Sequence, residues 1–261
     1  MTSTLVPALA SGGLVGFSLG LVGGGGSILA TPLLLYVVGV ASPHVAIGTG
    51  ALAVSINAYA NLLAHARKGH VRWLCAAVFA AVGTLGTLLG SSLGLVVDGT
   101  RLLLLFGTLM AVVGLLMLRP RGVGRGGERP VDRRTCALTA AAAMASGGAS
   151  GFFGIGGGFL IVPALIFATG MPMINAIGSS LLAVGTFGLA TALNYARSGQ
   201  VDWVVAAQFI SGGILGGILG MLLATRLSTG KATLNRIFAA LILTVATYVI
   251  FKNLPATISF G

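Results

Sequence analysis

Residues 46–73 read AIGTGALAVSINAYANLLAHARKGHVRW, and residues 176–203 read AIGSSLLAVGTFGLATALNYARSGQVDW. At a constant offset of 130, thirteen of the 28 positions are identical, among them Leu52/Leu182, Arg67/Arg197, Gly69/Gly199 and Trp73/Trp203. The agreement extends outward on both sides. With one residue of slack, Gly23, Gly25, Gly26, Pro32 and Gly39 match Gly154, Gly156, Gly157, Pro163 and Gly170, while Gly83, Gly86 and Gly90 match Gly213, Gly216 and Gly220. The chain is therefore one unit written twice. The expected division is a first repeat over 1–118, a basic linker over 119–134 and a second repeat over 135–261. The linker, Arg119 to Arg134, holds six arginines among glycines and prolines.

Each half divides into five apolar segments, roughly 4–22, 27–40, 44–66, 73–97 and 101–118, then 136–153, 157–171, 174–196, 203–225 and 232–251. Only 7% of the 261 residues are charged and 56% are hydrophobic, with a mean hydropathy of +1.03. Roughly a quarter of a soluble domain's residues are charged, so four acidic and fifteen basic side chains cannot wet a surface of this size. Lipid is the solvent that fits. The fold class expected is an all-α polytopic membrane protein of about ten transmembrane segments, with short or re-entrant helices after the glycine-rich breaks. The first segment reads as a span and not as a removed signal peptide, because no basic stretch precedes Leu5.

The net charge of +11 does not point to nucleic acid, because the basic residues lie between apolar runs and act as topology signals. The loop Arg67–Arg72 carries three basic residues, whereas its counterpart Arg197–Asp202 is neutral overall. One loop later the bias reverses: Asp98–Arg101 is neutral, and Arg226, Lys231 and Arg236 cluster in the matching region. Two copies that exchange their basic loops face opposite sides of the membrane, so the repeats read as inverted. Five crossings per half with the linker in the cytoplasm put twelve of fifteen basic residues inside, and four crossings with parallel repeats put eleven inside. The totals leave both counts open; the loop-by-loop exchange favours inversion.

All four carboxylates, Asp98, Glu128, Asp132 and Asp202, fall in loops or at helix ends. A cation carrier usually keeps a carboxylate in mid-membrane, where a charge is costly and retained only for use. Its absence favours an anionic substrate and leaves His44, His65 and His70 as the groups that titrate near neutrality. His65 and His70 flank the basic loop and read as interfacial. His44, at the start of the third segment, reads as a capping residue, with proton coupling the alternative role. Cys75 and Cys136 have no metal-type spacing and read as packing residues. No metal or other cofactor is expected.

The glycine clusters Gly23–Ser27 and Gly154–Gly158 carry the strongest local signal. Glycine lets backbone N–H groups approach a ligand, and a helix that starts there aims its positive end at whatever lies in front. The candidate anion site is Gly24, Gly25, Gly26 and Ser27 with Gly156, Gly157 and Gly158. The bland alternative is a pair of tight turns. No strand precedes either cluster and no Gly-Lys-Ser/Thr follows, so a nucleotide loop is excluded. The third segment of each half adds small polar groups that can replace water around an oxyanion, namely Thr49, Gly50 and Asn57, then Ser179, Ser180 and Asn194. Such groups also bond their own helix or a neighbouring one. The stripes Gly86-x3-Gly90-x3-Gly94 and Gly212-x3-Gly216-x3-Gly220 read as close helix packing, and Trp73 and Trp203 as interfacial anchors.

The glycine cluster, a proline-centred apolar run, Gly39 or Gly170, the Ala-Ile-Gly-Thr/Ser stretch and the Arg-x-Gly-x-Val-x-Trp turn occur once in each half. This block resembles the TauE/SafE sulfite exporter family, also called the 4-toluene sulfonate uptake permease family. The resemblance implies a carrier in the bacterial or archaeal inner membrane for sulfite, sulfonates, related sulfur oxyanions or small organic acids, driven by the proton gradient or the membrane potential. The partners expected are a small anion and the lipid bilayer, with no nucleic acid and with a homodimer left open. The alternatives are a flippase for a lipid-linked phosphate or another kind of integral membrane protein. A flippase would need arginines inside the membrane, whereas these lie in loops. A membrane enzyme lacks any nucleophile, metal cluster or acid–base pair.

Overall fold

A computed structural model describes residues 2–118, 133–154, 158–226, 240 and 242–253. Among these every regular element is helical, as a chain without water to satisfy its backbone must be. We number the helical runs α1 (Thr2–Val22), α2 (Gly23–Val38), α3 (Pro43–Arg67), α4 (Trp73–Val96), α5 (Gly99–Leu118), α6 (Arg133–Phe153), α7 (Gly158–Thr169), α8 (Met173–Arg197), α9 (Trp203–Arg226) and α10 (Ile242–Asn253). Among the described residues five helices are long and apolar enough to cross a membrane by themselves, within α1, α3, α4, α8 and α9, and the other runs hold apolar stretches of 10–17 residues. The expected linker lies outside the described residues except for Arg133 and Arg134, which begin α6.

The helix ends follow local chemistry. Pro43 occupies the first turn of α3, where its missing N–H costs nothing. The Asp98 carboxylate accepts the N–H groups of Thr100 and Arg101 at 3.0 and 3.2 Å, and the Asp202 carboxylate those of Val204 and Val205 at 3.0 Å. Both described acids thus cap helices, α5 and α9. The short second segment is not a uniform helix. Gly23–Leu29 is a 3₁₀ helix, Ala30–Leu33 one α-helical turn, and Leu34–Val38 a π-helical turn. At about 2.0 Å per 3₁₀ residue and about 1.5 Å per α-helical residue, Gly23–Leu33 reaches about 20 Å instead of the ~17 Å of a regular helix. Tightening the backbone lengthens a segment that is otherwise short for a bilayer.

Glycine backbones dock two helix pairs. Along α1 and α9, Gly12 and Gly16 face the carbonyls of Phe209 and Gly213, and Gly212, Gly216 and Gly220 face those of Leu9, Gly13 and Phe17. Along α4 and α6, Gly86, Gly90 and Gly94 face the carbonyls of Met144, Gly148 and Phe152. A β-carbon at any of these positions would overlap backbone atoms. Lipid gives little hydrophobic drive for helix association, so close backbone contact does that work. The stripes are therefore packing surfaces. Both pairs run parallel, α1 with α9 and α4 with α6, so the two halves of the chain interlock.

At the centre α3 and α8 cross antiparallel. Ser55 Oγ donates to the Gly185 carbonyl at 2.6 Å, and Tyr59 OH lies 3.2 Å from Thr186 Oγ1. Ser55 and Gly185 are the same position of the two copies, so the duplicated unit meets itself there. Trp73 and Trp203 begin α4 and α9 with exposed rings, as interfacial anchors do.

Candidate functional site

The glycine-rich turns are built reciprocally. α1 ends at Gly23 (φ 73°) and α6 at Gly154 (φ 65°), left-handed conformations that side-chain-bearing residues rarely adopt. A β-carbon on Gly23 would press on Ile177, and one on Gly154 would press on Ile47; Ile47 and Ile177 are again equivalent positions. Each isoleucine lies four residues inside its helix, α3 or α8. Because those 25-residue helices run antiparallel, the two turns sit toward opposite ends of the molecule, about 25 Å apart. The turns themselves do not meet; the runs that follow them head inward from both ends.

From Gly23 the chain doubles back along α1, with Gly26 set against Ser18 and Leu19 so closely that a β-carbon would strike their backbone. Gly24, Gly25, Gly26 and Ser27 are all buried, and Ser27 Oγ donates to the Gly24 carbonyl at 2.8 Å. The stretch Gly23–Leu29 packs against α7. Gly158 is the first residue of α7, whereas Gly156 and Gly157 lie outside the described residues. Gly23–Leu29 and α7 thus meet, and the first residue of α7 belongs to the second glycine cluster.

The polar residues expected beside the clusters have other partners. Thr49 Oγ1 accepts the Asp202 N–H at 2.9 Å, and Ser179 Oγ accepts the Arg72 N–H at 2.9 Å. Gly48 abuts the Gln200 carbonyl and Gly178 the His70 carbonyl. Each central helix therefore holds the loop of the opposite half by a hydroxyl and a glycine. Gly50 meets Ala30, Thr31 and Leu34, seating α3 on α2. Ser180 donates to the Ile177 carbonyl of its own helix at 2.8 Å. Asn194 donates to Ser91 and Ser92 at 2.8 and 3.2 Å, tying α8 to α4. The His44 Nε2 lies 3.3 Å from the Gly94 carbonyl and 3.2 Å from that of Val97, and its ring stacks on Tyr195. Donation from His44 to the carbonyl end of α4 is a capping arrangement. Asn57 alone of the expected polar side chains is fully buried with neither amide atom bonded.

Sequence reasoning missed Asn61 and read His65 as interfacial; both lie on the face of α3 that carries Asn57. Asn61 and His65 follow Asn57 at intervals of four, and all three are buried. The i, i+4, i+8 spacing of polar residues on an apolar helix is the signal that finds them. His65 is not interfacial: its ring is 1% exposed beneath α1 at Gly20 and the loop after α3. Among the described residues no cluster of His, Cys, Asp or Glu is placed to hold a metal, and Cys75 is half-buried.

Residues 8–249 match the family described as sulfite exporter TauE/SafE. A "Probable membrane transporter protein" of Xylella fastidiosa (strain 9a5c) is 65% identical over 251 residues, 96% of each chain. More distant are a "Probable membrane transporter protein YunE" of Bacillus subtilis, 26% identical over 77% of this chain and 81% of its own, and a "Probable membrane transporter protein MJ0441" of Methanocaldococcus jannaschii, 23% identical over 76% of each. No solved structure matches the chain closely enough to count as a relative.

Proposed function

The chain belongs to the TauE/SafE family of multi-pass membrane transporters, and from that premise we propose that it is a secondary carrier of small anions. Sulfite, which the family's description names, and with it sulfonates, related sulfur oxyanions or small organic acids are the proposed substrates. The observation that carries this reading is the buried contact between Gly23–Leu29 and α7. In this reading the backbone N–H groups of the buried glycines and the N-terminus of α7 bind the anion, an arrangement that suits a ligand that must be released again. Thr49, Ser179, Asn194 and His44 hold the frame, and the ligand is left to the backbone of Gly24–Ser27 and the start of α7.

The transport cycle we propose is alternating access by inverted repeats, 1–118 and 135–261. Its support is the set of reciprocal contacts: Thr49 to Asp202 against Ser179 to Arg72, Gly23 to Ile177 against Gly154 to Ile47, α1 on α9 against α6 on α4. The antiparallel crossing of α3 and α8 fits an axis in the membrane plane; an axis along the normal would make them parallel. Five crossings per half, and so ten spans, follow from that sense. The cell inner membrane is the proposed location.

Proteoliposomes offered sulfite, taurine, sulfoacetate, sulfate and lactate test the substrate class. Saturable uptake of at least one acidic anion, with no sodium requirement, is the expected result. Uptake of none of them overturns it.

A further inference from the structure

Asn57, Asn61 and His65 form one face of α3, and that face is turned to the glycine backbones of α1 and α9. A β-carbon on Gly213 would run into the Asn57 amide, one on Gly217 into the Asn61 amide, and one on Gly20 would touch Asn61. Asn61 Nδ2 donates to the Asn57 carbonyl at 2.9 Å. The Asn57 amide has no partner at 0% exposure, and the His65 ring, in a residue 1% exposed, has no side-chain partner and lies against the Gly20 backbone. His65 lies 5.9 Å, centroid to centroid, from His70, the two rings tilted by 54°. His70 is half-buried, and its Nδ1 is also unpartnered. A polar file therefore runs from the Arg67–Arg72 loop inward for about 12 Å along α3.

The second copy of the unit serves as an internal control. Its equivalent positions are Phe187, Thr191, Tyr195 and Gln200. Phe187 fills the niche over Gly83 that Asn57 fills over Gly213. At the Asn57 position the niche accepts an apolar ring, so the fold does not demand that amide; Thr191 and Tyr195, the counterparts of Asn61 and His65, are polar and buried like them. Unbonded polar groups inside a membrane protein are costly and are retained for use.

We propose that His65 is the proton-binding group of the carrier, loaded from the loop face through His70, with Asn61 and Asn57 extending the polar file toward mid-depth. This rests on the carrier reading above. The neutral His65 ring takes one proton delivered by His70 from water on the loop side. The resulting imidazolium offsets one negative charge of the cargo, and the proton leaves to water on the other side after the rearrangement. The charged or titratable groups facing the ring are His70 and Lys68. α1 has none along its length, α9 has none before Arg226 except its start at Asp202, and α8 has only Tyr195 and Arg197 at its far end.

The test uses the full chain in liposomes loaded with a pH dye and given gradients of sulfate or sulfoacetate, anions that do not titrate near neutrality. Wild type moves protons with the anion. H65Q and H65Y, the latter copying the residue in the other repeat, lose net proton-driven uptake and proton movement by about tenfold or more, while anion counterflow falls less than ~3-fold. The pH profile between about 5 and 8 flattens in these variants and shifts in H70Q. Y195F leaves the profile unchanged. Proton movement and a pH profile in H65Q equal to wild type overturn the proposal. In parallel, ¹³C-histidine NMR in nanodiscs follows the resonance that H65Q removes. Its failure to titrate between about pH 5 and 8 also overturns the proposal. Wild type that moves neither anion refutes the carrier reading for them, and the ring's titration then decides the proton site alone.

Discussion

The reciprocal clasps separate a structural role for Thr49 from a substrate-binding one. Thr49 is fully buried, and its hydroxyl is the acceptor of the Asp202 N–H at 2.9 Å. Thr49→Val keeps the volume and removes the acceptor, so the cost is that of an N–H left without a partner, about 1–3 kcal/mol when fully buried. Asp202 is only half-buried, and water reaching its backbone reduces the figure to about 1–2 kcal/mol. Ser179→Ala should cost a similar amount through the Arg72 N–H. Each hydroxyl lies six residues, about 9 Å, from the crossing of Ser55 and Gly185, so the two sites are about 18 Å apart. At that separation the costs add, and the double variant loses about 2–4 kcal/mol. For a chain of this length each kcal/mol lowers Tm by about 2–4 °C. Thermal unfolding of the purified variants in detergent should show Thr49→Val down by about 2–8 °C, with KM for the carried anion unchanged and Thr49→Ser close to wild type. An unchanged Tm with a raised KM would refute the clasp and return Thr49 to the substrate.

Two further outcomes are expected. With Cys75 and Cys136 replaced, single cysteines at Lys68 and Ser198, both exposed, should react with an impermeant thiol reagent from opposite faces of the membrane; labelling from one face would end the inverted-repeat reading. Gly26→Ala forces a β-carbon into the backbone of Ser18 and Leu19 and should cost about 3 kcal/mol or more, seen as loss of folded protein. Gly39→Ala, at a left-handed φ of 83° but with nothing within 4 Å, should cost only ~1 kcal/mol; equal yields of the two variants would contradict the packing of α2 on α1.

Much of the frame is legible in the residues because its causes are local. Apolar runs fix the helices, Gly23 and Gly154 mark the reversals, and the glycine stripes of α4 and α9 announce close contacts without naming α6 and α1 as partners. What sequence does not carry is the partner across the fold. Thr49 and Ser179 sit beside helix-entry glycines, as ligand hydroxyls would, and only the placement of the opposite loops, 153 and 107 residues away, reveals what they hold. Likewise, His65 stands two residues from a basic loop and reads as interfacial. Its burial comes from Gly20 and from the fold of that loop, neither of which hydropathy records. The 3₁₀ stretch of α2 is equally invisible, since four glycines permit many backbones and the neighbours choose one.

The pairing of α1 with α9 also has a consequence for how the protein is made. Gly12 meets Phe209 and Gly16 meets Gly213, so the partner of the first helix is specified about 200 codons later. At about 5–20 residues per second the ribosome takes roughly 10–40 s to supply it. Throughout that interval the face of α1 that carries Gly12 and Gly16 lacks its partner α9. A nascent chain halted before α9 therefore exposes a ready-made docking groove, one that insertion factors or quality-control proteases can read as a mark of incompleteness.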